Sequence, residues 1–187
     1  PGSGKSTIAK ILVAKLHAQR IYVGGIRREL AKEKSMTLME LNEYAKTHPE
    51  TDVDVDEKAA AEARKLEKEK KVVVVEGRTQ FHFLPESVKI FITVNAEEGA
   101  RRIWNDLQHK SLQQERNEDK ISSWKEMKKS LQKRFEMDQF RYKKYYNLDI
   151  TNPKQYDVVI DTTSITAQQG AEKILSFLER KKLINKS

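Results

Sequence analysis

The hydrophobic pattern of the first twenty residues predicts an amphipathic helix. Between residues 6 and 19, apolar side chains recur three or four positions apart, at Ile8, Ile11, Leu12 and Leu16. Side chains at this spacing share one face of a helix, so this face is expected to pack against a hydrophobic core. A short extended piece at residues 21–23 follows and is closed by two glycines.

The next two stretches, residues 26–47 and 54–70, are polar and rich in helix-forming residues. They are separated by the dipeptide His48-Pro49. The residue before a proline is pushed out of the helical region of backbone angles, so this dipeptide predicts a break between two helices.

Three short apolar runs predict strands of a parallel sheet. Residues 72–75 are four consecutive valines, and residues 89–94 and 156–160 are also rich in β-branched and aromatic side chains. Continuous apolar runs of this length favour strands that are buried on both faces.

Helical patterns fill the remainder of the chain. Residues 96–146 are helical in character but too long for one simple crossover helix, and residues 168–182 predict a final amphipathic helix. The alternation of strands and helices predicts an α/β fold, a parallel sheet with helices on both faces. Neither a repeat nor a flexible linker interrupts the sequence, which indicates a single domain over residues 1–187.

The first seven residues match the end of a phosphate-binding P-loop, G-x-x-x-x-G-K-[ST], and lead directly into the first predicted helix. They are Pro1, Gly2, Ser3, Gly4, Lys5, Ser6 and Thr7. Glycines let backbone N–H groups surround a phosphate, and the helix N-terminus adds partial positive charge. Lys5 is expected to reach the β- and γ-phosphates of ATP, and the Ser6 hydroxyl to bind Mg²⁺.

The motif also predicts a P-loop NTPase-type sheet in which a strand precedes the loop. The first glycine of the motif would fall two positions before Pro1, and the sequence has no residues for that strand. We therefore expect the sequence to be truncated relative to the native protein. We also expect either an unpaired gap in the sheet beside residues 72–75 or a strand upstream of Pro1.

Composition and charge narrow the possible functions. The chain has no cysteine, which excludes disulfides, thiolate chemistry and cysteine-bound metals. Its apolar runs are too short to cross a bilayer, and no targeting segment precedes the motif, so a cytoplasmic location is expected. The net charge of +8 favours anionic partners, and residues 101–146 hold 13 basic and 7 acidic side chains. This excess fits either a solvated helical face or an anion-binding surface.

Three further motifs, in order behind the P-loop, resemble those of cytidylate kinases, in particular the short archaeal-like form. They are the segment from Gly24 to Arg28, the strand ending Glu76-Gly77-Arg78, and the helical set Arg134, Asp138 and Arg141. The resemblance covers nearly the whole chain. It implies a nucleoside monophosphate kinase that uses ATP and Mg²⁺ to phosphorylate CMP or dCMP. It also implies a helical acceptor-binding insert at about residues 24–71 and a helical lid at about residues 105–146.

The resemblance also implies roles for single residues. Gly24, Arg28 and Arg78 would bind the acceptor, and Asp138 would either hold a sugar hydroxyl or orient Arg134. Arg134 and Arg141 would act with Lys5 on the transferred phosphoryl group. Positions 134, 138 and 141 share one helix face, which is expected to point across a cleft towards the P-loop. Residues 108–119 are expected to be mobile without ligand.

Two positions depart from the family pattern in the acceptor pocket. Bacterial cytidylate kinases have aspartate directly after the Glu-Gly-Arg arginine, where this chain has Thr79. The residue before Arg28 is commonly aromatic, whereas here it is Arg27. The acceptor base is therefore less firmly predicted than the reaction.

Two alternatives stay open. One is a P-loop kinase for another acceptor, such as UMP, AMP or a non-nucleotide. The other is a nucleotide-binding protein with weak activity that contacts RNA through the basic residues 101–146. Against the second, this region has no recognised RNA-binding motif, and its basic residues are mixed with acidic ones. We expect a monomer with no membrane or nucleic-acid partner.

Overall fold

The computed structural model describes residues 1–108 and 121–185, in which single strands are separated by one or more helices. The helices are α1 (Lys5–Leu16), α2 (Val23–Glu33), α3 (Leu38–Tyr44), α4 (Glu50–Lys68), α5 (Gln80–Phe83), α6 (Ala96–Asp106), α7 (Trp124–Tyr146) and α8 (Ala167–Arg180). The strands are β1 (Gln19–Tyr22), β2 (Val73–Glu76), β3 (Ile90–Thr93) and β4 (Val158–Asp161). The predicted α/β class and the predicted strands are confirmed, with boundaries shifted by one or two residues.

The strands form two parallel pairs. Gln19 of β1 lies opposite Val73 of β2, and Ile90 of β3 lies opposite Val158 of β4. Within residues 1–108 and 121–185, no strand joins β2 to β3, so each of these strands keeps one unpaired edge. The predicted gap beside residues 72–75 is therefore present. The expectation of full burial is wrong for both strands, whose side chains are mostly half-buried.

One hydrophobic core connects the two strand pairs. Its centre is formed by Ile8 of α1 and Ile174 of α8, which are both fully buried. Val74 of β2 and Ile92 of β3 pack against the same core. Helix α1 packs against this core, and its N-terminus lies near the carboxyl ends of β2 and β4, where Lys5 contacts Glu76 and Ser3 contacts Thr162.

Two smaller clusters fix the helices that carry the predicted acceptor and lid residues. Ile21 of β1 and Ala60 of α4 belong to one cluster, which packs α4 against the first strand pair. Ile103 of α6 and Met127 of α7 belong to the other, and both are almost completely buried. The long helix α7 is therefore anchored at its start by α6.

Helix boundaries follow local sequence. The predicted break at Pro49 is confirmed, since α3 ends at Tyr44 and α4 begins at Glu50. Thr37 and Glu40 form a capping box at the start of α3, and the Ser123 hydroxyl caps α7. The two glycines at positions 24 and 25 lie in the first turn of α2, although a turn before it was predicted.

The predicted mobility of residues 108–119 stays a prediction, because all of these residues except Gln108 lie outside the described residues. In the part of the chain that the structure describes, none of the helices combines the length and apolar character that a membrane span requires.

Candidate active site

The first residues wrap the N-terminus of α1 in the way that an anion site requires. Gly2 and Gly4 have φ angles of 75° and 73°, which side chains with a Cβ rarely adopt. A Cβ at Gly2 would lie 2.3 Å from the carbonyl oxygen of Gly99, so only glycine fits there. No side chain caps α1 and its first turn has no acidic residue, which leaves the first N–H groups available to an anion.

Glu76, the last residue of β2, binds the side chains of the loop. Lys5 Nζ donates to Glu76 Oε1 over 3.2 Å, Ser6 Oγ donates to the same oxygen over 2.5 Å, and Arg20 binds the other oxygen. Burial alone raises the pKa of Glu76, but Lys5 and these hydrogen bonds outweigh it and hold the pKa below its ordinary value. Glu76 is therefore a buried, ionised carboxylate. Sequence reasoning had not chosen it, although it ends the strand beside the P-loop.

The pair of Ser6 and Glu76 suits a magnesium ion. Mg²⁺ prefers oxygen ligands, and it commonly takes one or two protein oxygens, with phosphate oxygens and water completing the shell. Ser6 Oγ and Glu76 Oε1 are adjacent oxygens at the phosphate-binding loop. In residues 1–108 and 121–185, no group of three or more His, Cys, Asp or Glu residues could hold a metal by itself. The donor set thus fits a metal that is held jointly with a nucleotide.

A cluster of arginines and carboxylates lies beside the loop, and we call it the arginine–carboxylate cluster. Its members are Arg27, Asp52, Arg78, Asp138 and Arg141. Arg78 binds Asp138 Oδ2 at 2.8 Å, and Arg141 Nη2 donates to Asp138 Oδ1 over 2.7 Å. Asp52 accepts from Arg141 Nε over 2.6 Å and from Arg27. Every member except Arg78 comes from a helix, so the cluster joins α2, α4 and α7 to the end of β2.

The predicted stripe on α7 splits into residues of different burial. Arg134 is half-buried and, with Asp138, lines a cavity of about 2100 Å³ that also contains the P-loop. Arg141 has 0% of its surface exposed and directs its donors at Asp138, Asp52 and the carbonyl of Asn42. Arg134 and Asp138 line the cavity that the P-loop also lines, whereas Arg141 does not, so the face that was predicted to point across a cleft towards the P-loop is divided. The predicted contact of Arg141 with phosphate stays a prediction, since its donors bind protein groups here.

Electrostatic effects connect the cluster to the P-loop. Burial, together with the charges of Arg78 and Arg134, lowers the pKa of Lys5 against the opposing effect of Glu76. Burial alone raises the pKa of Asp138, but Arg78, Arg141 and Arg134 outweigh it and lower the pKa to about 2. The positive charges of Arg78, just after β2, and of Arg134 on α7 therefore act on Lys5, which is predicted to be catalytic.

The two arginines of the acceptor segment, Arg27 and Arg28, bind different protein groups. Arg28 Nη1 donates to the Tyr22 hydroxyl over 2.6 Å and to the carbonyl of Gly24 over 3.0 Å. Arg27 joins the arginine–carboxylate cluster and also donates to Asn42 Oδ1 over 3.0 Å. Both arginines and Gly24 line the cavity. Arg27 had been noticed only as a departure from the family pattern.

Thr79 and its neighbours surround a second type of carboxylate. Thr79 Oγ1 donates to Asp56 Oδ2 over 2.7 Å, and Gln80 Nε2 donates to Asp56 Oδ1 over 2.7 Å. The Tyr146 hydroxyl donates to Asp56 Oδ2 over 3.0 Å. We call these four residues the Asp56 group. Sequence reasoning missed Asp56 because its partners are 23 to 90 positions away in the chain.

The sequence of this chain is similar to a family model and to several known proteins. A family model described as an AAA domain matches residues 1–122. The cytidylate kinase of Archaeoglobus fulgidus is 35% identical over 184 residues, which cover 98% of this chain and 93% of that protein. The cytidylate kinase of Sulfolobus acidocaldarius is 32% identical over 186 residues, which cover 98% of this chain and 92% of that protein.

Two further matches differ in coverage or identity. An S-adenosylmethionine-dependent nucleotide dehydratase of Lacinutrix mariniflava is 31% identical over 186 residues. The match covers 99% of this chain but 36% of that protein, so this chain spans about a third of its length. A solved structure of an uncharacterized protein from Eubacterium ventriosum has a TM-score of 0.63 at 18% identity, over 95% of this chain and 92% of that one. This last match shows a shared fold.

The P-loop, the order of the later motifs and the near-complete match to two archaeal cytidylate kinases agree with each other. The chain therefore belongs to the cytidylate kinase family.

Proposed function

We propose that this chain transfers the γ-phosphoryl group of ATP to CMP or dCMP and releases ADP and CDP or dCDP. The observation that carries the proposal is the end of β2. Glu76 contacts Lys5 and Ser6, while Arg78, two residues later, contacts Asp138 on α7. The end of β2 therefore brings Lys5 and Ser6 of the P-loop near Arg78. Transfer between two phosphorylated molecules requires positive groups for both of them, and Lys5 and Arg78 would supply these. The cytidylate kinase relatives support the same reaction.

On the donor side, the loop of residues 1–7 and the N-terminus of α1 would hold the phosphates of ATP. Lys5 would stabilise the charge that develops on the transferred group. Ser6 and Glu76 would hold Mg²⁺, which, when bound, neutralises charge on the phosphate oxygens.

On the acceptor side, the chemistry calls for positive charge rather than for a base. The second pKa of a phosphate monoester is near 6, so the acceptor is already an anionic nucleophile at neutral pH. Its oxygen would form a bond to the γ-phosphorus while the bond from that phosphorus to ADP breaks. Gly24, Arg28 and Arg78 of the acceptor region and Arg134 of the lid would hold and orient the two phosphates. Arg141 would reach them only after leaving its buried partners, and Asp138 would hold a sugar hydroxyl or orient Arg134. Arginine suits this task because it binds oxygens in pairs and stays charged when water is excluded.

A coupled ADP-release assay with all eight common ribo- and deoxyribonucleoside monophosphates tests the proposal. CMP and dCMP are expected to give a higher kcat/KM than AMP and GMP. A clear preference for a purine would refute the cytidylate specificity and leave the reaction class standing. If none of the eight acceptors supports ADP release, the proposed reaction is refuted. The RNA-contacting alternative would then be tested by measuring how RNA binding depends on salt concentration.

The L. mariniflava relative raises the question of whether this chain also has the activity for which that protein is named. That relative is described as a nucleotide dehydratase, and this chain aligns with 36% of it. The alignment includes the P-loop residues of this chain, so we infer that this chain corresponds to a phosphate-handling part and not to the S-adenosylmethionine chemistry. Assay of this chain with S-adenosylmethionine and cytidine nucleotides is then expected to give no dehydrated product, whereas ADP release from ATP and CMP continues.

A further inference from the structure

Arg20 contacts the carboxylate that fits Mg²⁺, although it belongs neither to the P-loop nor to the three motifs behind it. Because successive side chains of a strand point to opposite faces, Arg20, Tyr22 and Glu76 lie on one face of the pair formed by β1 and β2. Arg20 Nη2 donates to Glu76 Oε2. Lys5 and Ser6 donate to the other oxygen, Oε1. Arg20 therefore binds the side of the carboxylate that faces away from the P-loop.

Nucleotide binding would change the partners of Glu76. In the proposed reaction Lys5 reaches the phosphates and Ser6 binds the metal, so both would give up the hydrogen bonds that they now make with Oε1. The terminal torsion of a glutamate side chain has broad energy minima, so a carboxylate without partners does not keep one orientation. Arg20 has no role in phosphate binding, and its contact with Oε2 would therefore persist and keep Oε1 directed at the loop.

Arg20 is itself held by an aromatic ring. Its Cζ lies 4.5 Å from the centroid of the Tyr22 ring, which is a cation–π distance. A Cβ at Gly25 would lie 2.6 Å from the Tyr22 ring, and a Cβ at Gly24 would lie 3.0 Å from it, so the two glycines leave the room that the ring occupies. Arg28 Nη1 donates to the Tyr22 hydroxyl over 2.6 Å. The ring is thus confined along its edge and at its hydroxyl, and its face supports Arg20.

The contacts of Arg20 favour a function over a contribution to stability. Arginine and carboxylate groups commonly form two parallel hydrogen bonds, but Arg20 reaches Glu76 through Nη2 alone. Its Nε is buried and, among the described residues, has no hydrogen-bond acceptor. A buried donor without an acceptor lowers the free energy of unfolding. The guanidinium therefore has an orientation that suits Glu76 better than it suits the fold.

We propose that Arg20 is a positioning residue, which holds Glu76 Oε1 towards Ser6 and thereby sets the affinity of the nucleotide site for Mg²⁺. This inference rests on the proposed function, in which the metal is held together with ATP. Carboxylates that bind a metal are commonly oriented by hydrogen bonds from a further residue, and loss of that residue weakens metal binding. Through Tyr22, the same contacts also connect Glu76 to Arg28 of the predicted acceptor region.

The test measures nucleotide binding and needs no turnover. Isothermal titration calorimetry gives the Kd of the non-hydrolysable β,γ-imido analogue of ATP, once with excess Mg²⁺ and once with EDTA. The Kd in EDTA divided by the Kd in Mg²⁺ is the gain that the metal provides. Arg20→Met keeps an unbranched side chain without charge or donors, and it should lower this gain by about tenfold or more. The matched control is Arg64→Gln, which breaks an exposed pair with Glu86 and should leave the gain unchanged.

Two substitutions at Tyr22 separate the ring from its hydroxyl. Tyr22→Leu removes the ring beneath Arg20, and the gain from Mg²⁺ should fall by about two- to fivefold. Tyr22→Phe keeps the ring and removes only the oxygen that accepts from Arg28, so the gain should stay at its native value.

The outcomes separate this inference from the proposed function. If Arg20→Met loses the gain but no nucleoside monophosphate is phosphorylated, Arg20 has its role at a nucleotide–metal site and only the proposed reaction is refuted. If the gain in Arg20→Met is unchanged or larger, the inference is wrong and the reaction stands. Equal weakening of binding with Mg²⁺ and with EDTA also leaves the gain unchanged and would show a structural role alone. If Arg20→Met does not fold, Tyr22→Leu decides, and a native gain in that variant refutes the inference.

Discussion

The two sides of the cavity are built in opposite ways. On the proposed donor side, the groups expected to bind phosphate come from seven consecutive residues, and a single strand end supplies Glu76. On the acceptor side, the arginine–carboxylate cluster joins positions as far apart as Asp52 and Arg141, which are 89 residues apart in the chain. On the donor side, the contacts of Lys5 and Ser6 with Glu76 need only α1 and β2, whereas the contacts on the acceptor side need several docked helices. Substitutions on the donor side should therefore change chemistry first, and those in the acceptor cluster should change stability first.

The largest effect is expected for Arg141→Ala. Arg141 is fully buried and pairs with both Asp52 and Asp138, so its removal leaves two buried carboxylates partly uncompensated. Breaking a buried ion pair by removing one partner costs about 3–5 kcal/mol. The free energy of unfolding, measured by urea denaturation, should fall by this amount.

Arg134→Ala is the matched comparison on the same helix. Arg134 is half-buried and lines the cavity, so its loss should change the free energy of unfolding by no more than about 1 kcal/mol. Its effect should appear in kcat. If Arg141→Ala and Arg134→Ala lower the free energy of unfolding equally, the two arginines do not differ in their structural role and the prediction is wrong.

The second effect, Lys5→Ala, belongs to the donor side. Lys5 would stabilise charge on the transferred phosphoryl group, and loss of one such donor typically lowers kcat by about 10²–10³-fold. Glu76 keeps its contacts with Ser6 and Arg20, so the fold should be retained. Circular dichroism and steady-state kinetics check both points. A kcat within tenfold of the native value would exclude Lys5 from the mechanism.

The contrast also explains what could be predicted from sequence. The P-loop and the strands were predictable because their information is local: consecutive glycines, consecutive valines, and apolar residues at helical spacing. Arg78, Asp138 and the other α7 positions came from resemblance, since spacing within one helix does not say which helix it will face. Spacing placed Arg134, Asp138 and Arg141 on one helix face, but it could not separate the cavity-lining Arg134 from the fully buried Arg141.

Other residues could not be found because their significance depends on distant partners. Asp52 and Asp56 look like ordinary acidic residues on a polar helix, and only their packing against α7 and the end of β2 makes them distinctive. Glu76 is different, since a carboxylate that ends a strand beside a P-loop is visible in the sequence. Its role became clear from its contacts with Lys5, Ser6 and Arg20.

A third effect concerns the pH dependence of stability. The pKa of Asp56 is raised from 3.8 to about 6 in the folded chain. The folded chain therefore holds this proton up to a higher pH than the unfolded chain does. Its contribution to stability is full below about pH 4, is lost as pH rises through about 6, and then stays constant. The loss should amount to roughly 2–3 kcal/mol.

Asp56→Asn removes this titration, so the variant should gain stability relative to the native chain between pH 4 and pH 7. Urea denaturation at several pH values gives the difference directly, and any pH-independent change reports altered hydrogen bonds. Glu57→Gln, at an exposed position, should show no such trend. A difference that stays flat with pH would show that the Asp56 pKa is not raised.

The smallest effect tests whether α3 serves the acceptor side alone. This helix spans only Leu38–Tyr44, and it begins with a capping box in which Thr37 Oγ1 accepts from Glu40 N over 3.2 Å. Thr37→Ala should destabilise α3 by about 1 kcal/mol. Asn42 on this helix accepts from Arg27 and, through its carbonyl, from Arg141, so fraying of α3 weakens the cluster. The KM for the acceptor should then rise up to about fivefold while the KM for ATP is unchanged.

The chain offers a matched control for this prediction, because Thr166 and Gln169 form the same kind of capping box at the start of α8. Helix α8 packs on α1, below the donor side, and Thr166→Ala removes a cap of the same strength. It should destabilise the protein to a similar degree without raising the KM for the acceptor. If the two variants raise that KM equally, the effect comes from general loss of stability. If only Thr37→Ala does so, the acceptor side depends on helices that the donor side does not need.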